Sequence, residues 1–158
     1  MKYIKLILNN SFLNLAARLI LGVIFILSGV AKIGEPAAFA KEIANYNMMP
    51  NYLINIWALT LPWIELICGL FLMVGIRLKA NSIVSSGLYL IFNIAIAYAM
   101  LQGLNINCGC HAALLAEQVG FPKIFQNTSL LLLSLNLFFN NNNKFTLENI
   151  VIKELQTL

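Results

Sequence analysis

The sequence predicts an all-α fold: an integral membrane four-helix bundle with a short interfacial helix between its first two spans. Three observations carry that prediction. Of the 158 residues, 60% are hydrophobic and 10% charged, with a mean hydropathy of +0.82, whereas a soluble domain carries about 25% charged residues. Such a chain cannot cover a water-facing surface and belongs in a lipid bilayer. Four apolar runs each approach the roughly 20 residues that a spanning helix needs, and between the first two the pattern switches to a short amphipathic one.

The first span is expected at about 15–33, which at about 1.5 Å per residue covers about 28 Å of a roughly 30 Å hydrocarbon core. Arg18 and Lys32 lie near its ends, where long side chains can snorkel toward headgroups. Gly22 and Gly29, with Ser28, offer small surfaces for close helix packing, so the span reads as scaffold. Residues 1–14 read as an uncleaved cytoplasmic segment, because Asn9, Asn10 and Ser11 break the apolar start. Glu35 to Tyr46 then forms the short amphipathic helix, with Pro36 in its first turn and Phe39, Ile43 and Tyr46 on one face.

The second span, 52–74, carries Pro62, which should kink it, and Glu65 near its middle. A carboxylate at membrane depth costs a few kcal/mol and is by default a functional-site hypothesis. Its candidate partners are Asn93 and Tyr98 on the third span (83–101), or the ends of Arg18 and Lys32. It either moves protons or pins two helices together by hydrogen bonds. Cys68, one turn beyond, reads as a buried small hydrophobe, and Tyr52, Trp57 and Trp63 as interfacial anchors and packing. The fourth span, 124–139, has a polar entrance at Gln126, Asn127, Thr128 and Ser129. Residues 140–158 read as a cytoplasmic tail, and no repeat is present.

Between the third and fourth spans lies Cys108-Gly109-Cys110-His111, which holds two of the three cysteines and the only histidine. Thiolates and imidazoles exchange electrons, bind soft metals and move protons near neutral pH. Cysteines at i and i+2 reach disulfide distance only if the chain bends between them, which Gly109 permits. So small a ring is expected to be strained and therefore oxidising. Metal binding by Cys108, Cys110 and His111 is the competing chemistry, and inert or structural cysteines a third reading. Cys68 lies roughly 21 Å down its helix from the outer end and does not join the pair.

The ten basic residues are spread rather than clustered, which fits membrane topology and excludes a nucleic-acid footprint. Lys2, Lys5, Arg18, Arg77, Lys79, Lys144 and Lys153 fall on the side of the termini, against Lys32, Lys41 and Lys123 opposite. The imbalance predicts a multi-pass protein of a bacterial or archaeal cytoplasmic membrane, with both termini cytoplasmic and the cysteine motif outside.

The run Ser28-Gly29-Val30-Ala31-Lys32 leading to Glu35-Pro36, then Pro62-Trp63-Ile64-Glu65 to Gly69, resembles the MauE and DoxX superfamily of small four-helix membrane proteins. Cys108-Gly109-Cys110 after the third span points to the MauE-like branch. In this resemblance Lys32, Pro36, Pro62, Gly69 and Gly109 are motif positions. It implies redox chemistry in the inner membrane: disulfide formation or methylamine dehydrogenase maturation for MauE-like members, sulfur oxidation and quinone reduction for DoxX-like ones. Cys108 and Cys110 would then be the exchanging pair, with His111 and Glu65 handling protons. The expected partners are an outer-side redox protein, the bilayer and quinone, although no cofactor-binding motif is present. The alternatives are a non-catalytic anchor or assembly subunit of a redox complex, and a protein that handles metals or small molecules.

Overall fold

The computed structural model describes residues 11–103 and 120–139. These fold as five helices, without strands among the described residues: α1 (Ser11–Gly34), α2 (Pro36–Asn45), α3 (Asn51–Val74), α4 (Leu78–Leu101) and α5 (Phe121–Phe139). α1, α3 and α4 are long and apolar enough to cross a membrane. Leu59, Trp63 and Ile94 are each more than half exposed on their outer faces, as lipid-facing side chains are.

On α1 the buried residues Asn14, Arg18, Leu21, Phe25, Ser28 and Lys32 follow one another at steps of four and three. That spacing is the stripe a helix turns toward its neighbours, so every strongly polar residue on it faces the protein. The expected snorkelling of Arg18 and Lys32 is thereby corrected. Arg18 is 3% exposed, and its Nε donates to the carbonyl of Leu72 at 3.2 Å and its Nη2 to that of Met73 at 3.4 Å. Those carbonyls close the C-terminal turn of α3, where a helix has no partners of its own to offer.

α1 and α3 meet backbone to backbone. A Cβ on Gly69 would stand 2.9 Å from the carbonyl oxygen of Gly22, and one on Gly29 would stand 2.8 Å from that of Pro62. Glycine at these positions lets the helices approach as small residues do in membrane bundles. α3 ends at Gly75, whose φ of +79° is the left-handed cap that glycine favours. The turn is so short that α4 starts at Leu78, five residues before the sequence-based boundary, with Asn81 Nδ2 donating to the Ile76 carbonyl at 2.7 Å. α5 likewise begins at Phe121, because Pro122 is tolerated in a first turn. α3 continues as one helix through Pro62. α2 lies where the amphipathic pattern put it, with Phe39 and Tyr46 buried against α3 and the core.

Candidate functional site

Glu65 is 1% exposed at the centre of the α1–α3 packing. The glycine contacts bring Ser28 and Lys32 directly against it. Lys32 Nζ donates to both carboxylate oxygens, at 2.7 and 2.9 Å, and Ser28 Oγ donates to Oε2 at 3.0 Å. Of the partners the sequence offers, the structure pairs Glu65 with Lys32 and adds Ser28. Among the described residues Asn93 and Tyr98 do not bond it, and Arg18 is committed to the end of α3. Both charges are removed from lipid and water together, which is the arrangement that makes a buried pair tolerable. Ser28 is the site residue that sequence reasoning left as packing, although its place on the α1 stripe, one turn from Lys32, was a usable signal.

The Lys32 ammonium also lies 4.8 Å from the ring centroid of Phe39 on α2 and 5.1 Å from that of Phe92 on α4, within cation–π range. The same two rings wall a cavity of about 200 Å³ under α2, together with Tyr46, Trp57, Leu61 and Ile91. Glu42 borders it. Burial holds the Glu42 carboxyl above its ordinary range, with the Lys32 charge acting against that rise. Burial and Glu42 together push the Tyr46 hydroxyl up to about 12, so it remains a proton donor at any physiological pH. The cavity is thus apolar and aromatic, and a buried ion pair stands behind two of its rings.

Cys68 is a free, buried thiol, and no metal-ligating cluster occurs among the described residues. Cys108, Gly109, Cys110 and His111 lie outside the described residues. Their connection leaves the end of α4 and returns at the start of α5. Lys123, just inside α5, is 2% exposed, and Asn127, expected at a polar entrance, is fully buried.

The family description "Methylamine utilisation protein MauE" matches residues 10–140, which covers all five helices. The chain belongs to the MauE family. It is 29% identical over 103 residues to the methylamine utilization protein MauE of Methylophilus methylotrophus, covering 65% of this chain and 54% of that one. To the MauE protein of Paracoccus denitrificans it is 26% identical over 121 residues, covering 76% and 65%. To that of Methylorubrum extorquens it is 26% identical over 111 residues, covering 70% and 60%. The chain therefore spans between about half and two thirds of the length of these MauE relatives. No solved structure matches it. Family and apolar helices together mark a membrane protein.

Proposed function

We propose that the chain is a membrane thiol–disulfide redox protein acting in methylamine utilisation, where it supports disulfide formation in an outer-side partner such as maturing methylamine dehydrogenase. The observation that carries this reading is the coexistence of a Cys-Gly-Cys-His motif with a buried Lys32–Glu65–Ser28 cluster in one chain of the MauE family. In the proposed cycle a partner thiolate attacks the Cys108–Cys110 disulfide. The sulfur–sulfur bond breaks, a mixed disulfide forms, and the leaving cysteine takes a proton. A second partner thiolate resolves the mixed disulfide, leaving the partner oxidised and Cys108 and Cys110 as a dithiol.

Reoxidation passes two electrons and two protons from the dithiol to a membrane quinone, which becomes the quinol. The cavity under α2 suits such a ring: its walls are aromatic and apolar, and Glu42 and Tyr46 belong to its lining. His111 and Glu65 are the proposed proton-handling groups, the first beside the thiols and the second in the bundle. In this reading four spans cross a cytoplasmic membrane with the motif outside, and the chain is kin to DoxX-like proteins.

The test is a redox titration of Cys108 and Cys110 by alkylation and mass spectrometry, with Cys108→Ser/Cys110→Ser as the control. A reversible two-electron transition at an oxidising potential that responds to added quinone supports the reading. A disulfide that stays closed under all but harsh reduction, or a serine variant that still sustains partner maturation, would replace it with a structural anchor.

A further inference from the structure

The seam between α4 and α5 carries polar side chains along most of its length, and its two halves differ. In one half every hydroxyl is satisfied. Ser134 on α5 lies 2.6 Å from Ser85 Oγ and 2.9 Å from Ser86 Oγ on α4, and it donates to the Ser82 carbonyl at 3.1 Å. In the other half Tyr89 Oη, Asn93 Oδ1 and both amide atoms of Asn127 are buried and have no hydrogen-bond partner among the described residues. Tyr89 is 2% exposed and Asn127 fully buried. A seam built only for packing would pair these atoms directly, as the serines are paired. Each such atom left dry costs about 1–3 kcal/mol.

The register places these groups in one file. The helices are level at Ser85 and Ser134 and run antiparallel, since Ile124 packs with Ile96 and Met100. Tyr89 lies about 6 Å and Asn93 about 12 Å along α4 from Ser85, while Asn127 lies about 10 Å back along α5 from Ser134, so Asn93 and Asn127 stand side by side. Lys123 follows one turn further, buried, where α5 begins. In the opposite direction the Tyr89 ring packs on Phe25 of α1 at 5.0 Å, one turn from Ser28, which donates to Glu65. Asn127 belongs to the α5 stripe Lys123, Asn127, Leu130, Ser134, Leu137, the buried face of that helix.

We propose that this half of the seam binds a file of water molecules, held by Tyr89 Oη, Asn93 Oδ1 and the Asn127 amide, giving protons a route between Glu65 and the Lys123 end of the bundle. Along each helix successive groups are about one turn, roughly 6 Å, apart. One water making two hydrogen bonds of about 2.8 Å spans such a step. Buried waters characteristically bond two to four otherwise unsatisfied polar groups. The waters hand protons along such a file, each accepting one proton and releasing another, while the Tyr89 hydroxyl and the two amides hold them in place. The site rests on the seam alone and stands whether or not the dithiol cycles.

Radiolytic hydroxyl labelling of the full chain in lipid nanodiscs tests it, because radicals formed from bound water modify the side chains beside it. Tyr89 is expected to be modified despite its burial, and brief mixing into ¹⁸O-water before the pulse should carry the heavy isotope into the product, showing exchange with bulk. Asn93→Leu/Asn127→Leu should cut Tyr89 modification at least fivefold. Tyr89 left unmodified in the native chain, or modified equally in the variant, overturns the proposal. If the variant does not fold, the native chain alone decides.

Discussion

Glu65 illustrates what a single residue in a bilayer must arrange. Its carboxylate was legible in the sequence because a charge in an apolar span has a cost that something has to offset. Which partner offsets it was less legible, since Lys32 near a helix end fits snorkelling equally well. The deciding signal is the spacing of Asn14, Arg18, Leu21, Phe25, Ser28 and Lys32, which puts the polar residues of α1 on the same stripe as its buried apolar ones. The pair is expected to behave as buried ion pairs do. Lys32→Met or Glu65→Gln alone should destabilise by about 3–5 kcal/mol, because the remaining member is left buried without its partner. Lys32→Met/Glu65→Leu together should recover most of that loss. Thermal unfolding in detergent reads both, and a double variant no better than the singles would mean that Ser28 and the aromatic rings, rather than mutual pairing, hold each group.

At the scale of elements, two contacts set the geometry. α1 reaches α3 through glycine, so Gly69→Ala should cost about 1–3 kcal/mol by forcing the backbones apart, since its Cβ would meet the Gly22 oxygen and the Ile26 nitrogen at 2.9 Å. Gly87→Ala is the matched control. Nothing lies within 4 Å of its Cβ, and alanine should stabilise α4 by up to about 1 kcal/mol. Equal losses at both positions would remove close packing as the cause. The second contact is the docking of α2, which partly buries Glu42. A carboxyl held above its ordinary range binds its proton more tightly in the docked state than free. The docked state's advantage is therefore full below about pH 4.5 and is lost as pH rises through the raised value. Trp57, which faces the same cavity, should report that loosening by fluorescence, and Glu42→Gln should flatten the response. A profile unchanged by the substitution would assign the titration to another group.

For the whole molecule, the three long apolar helices and α2 were legible because periodicity and length are local properties. Helix ends were less so, because α4 starts where Gly75 and Arg77 adopt left-handed conformations and not where the apolar pattern resumes. α5 shows the limit most clearly. Asn127 belongs to a polar entrance in a linear reading, yet Lys123, Asn127 and Ser134 all fall on the stripe packed against the bundle. Polar residues hidden in this way lower a helix's average hydropathy although they face the protein and not lipid. At about 1.5 Å per residue α5 is about 28 Å long, sufficient for the roughly 30 Å core. If α5 crosses, Cys108 and a cysteine placed at Asn141 must react from opposite sides. In a Cys68→Ala background, Cys108 kept alone should be blocked by a membrane-impermeant maleimide added to intact cells. Asn141→Cys, with Cys108→Ser and Cys110→Ser, should react only after the membrane is permeabilised, as the excess of basic residues beside the termini requires. Labelling of both positions from outside would make α5 a helix that packs on the bundle without crossing. The reverse pattern would invert the topology and place the dithiol in a reducing compartment, where an oxidising disulfide could not be maintained.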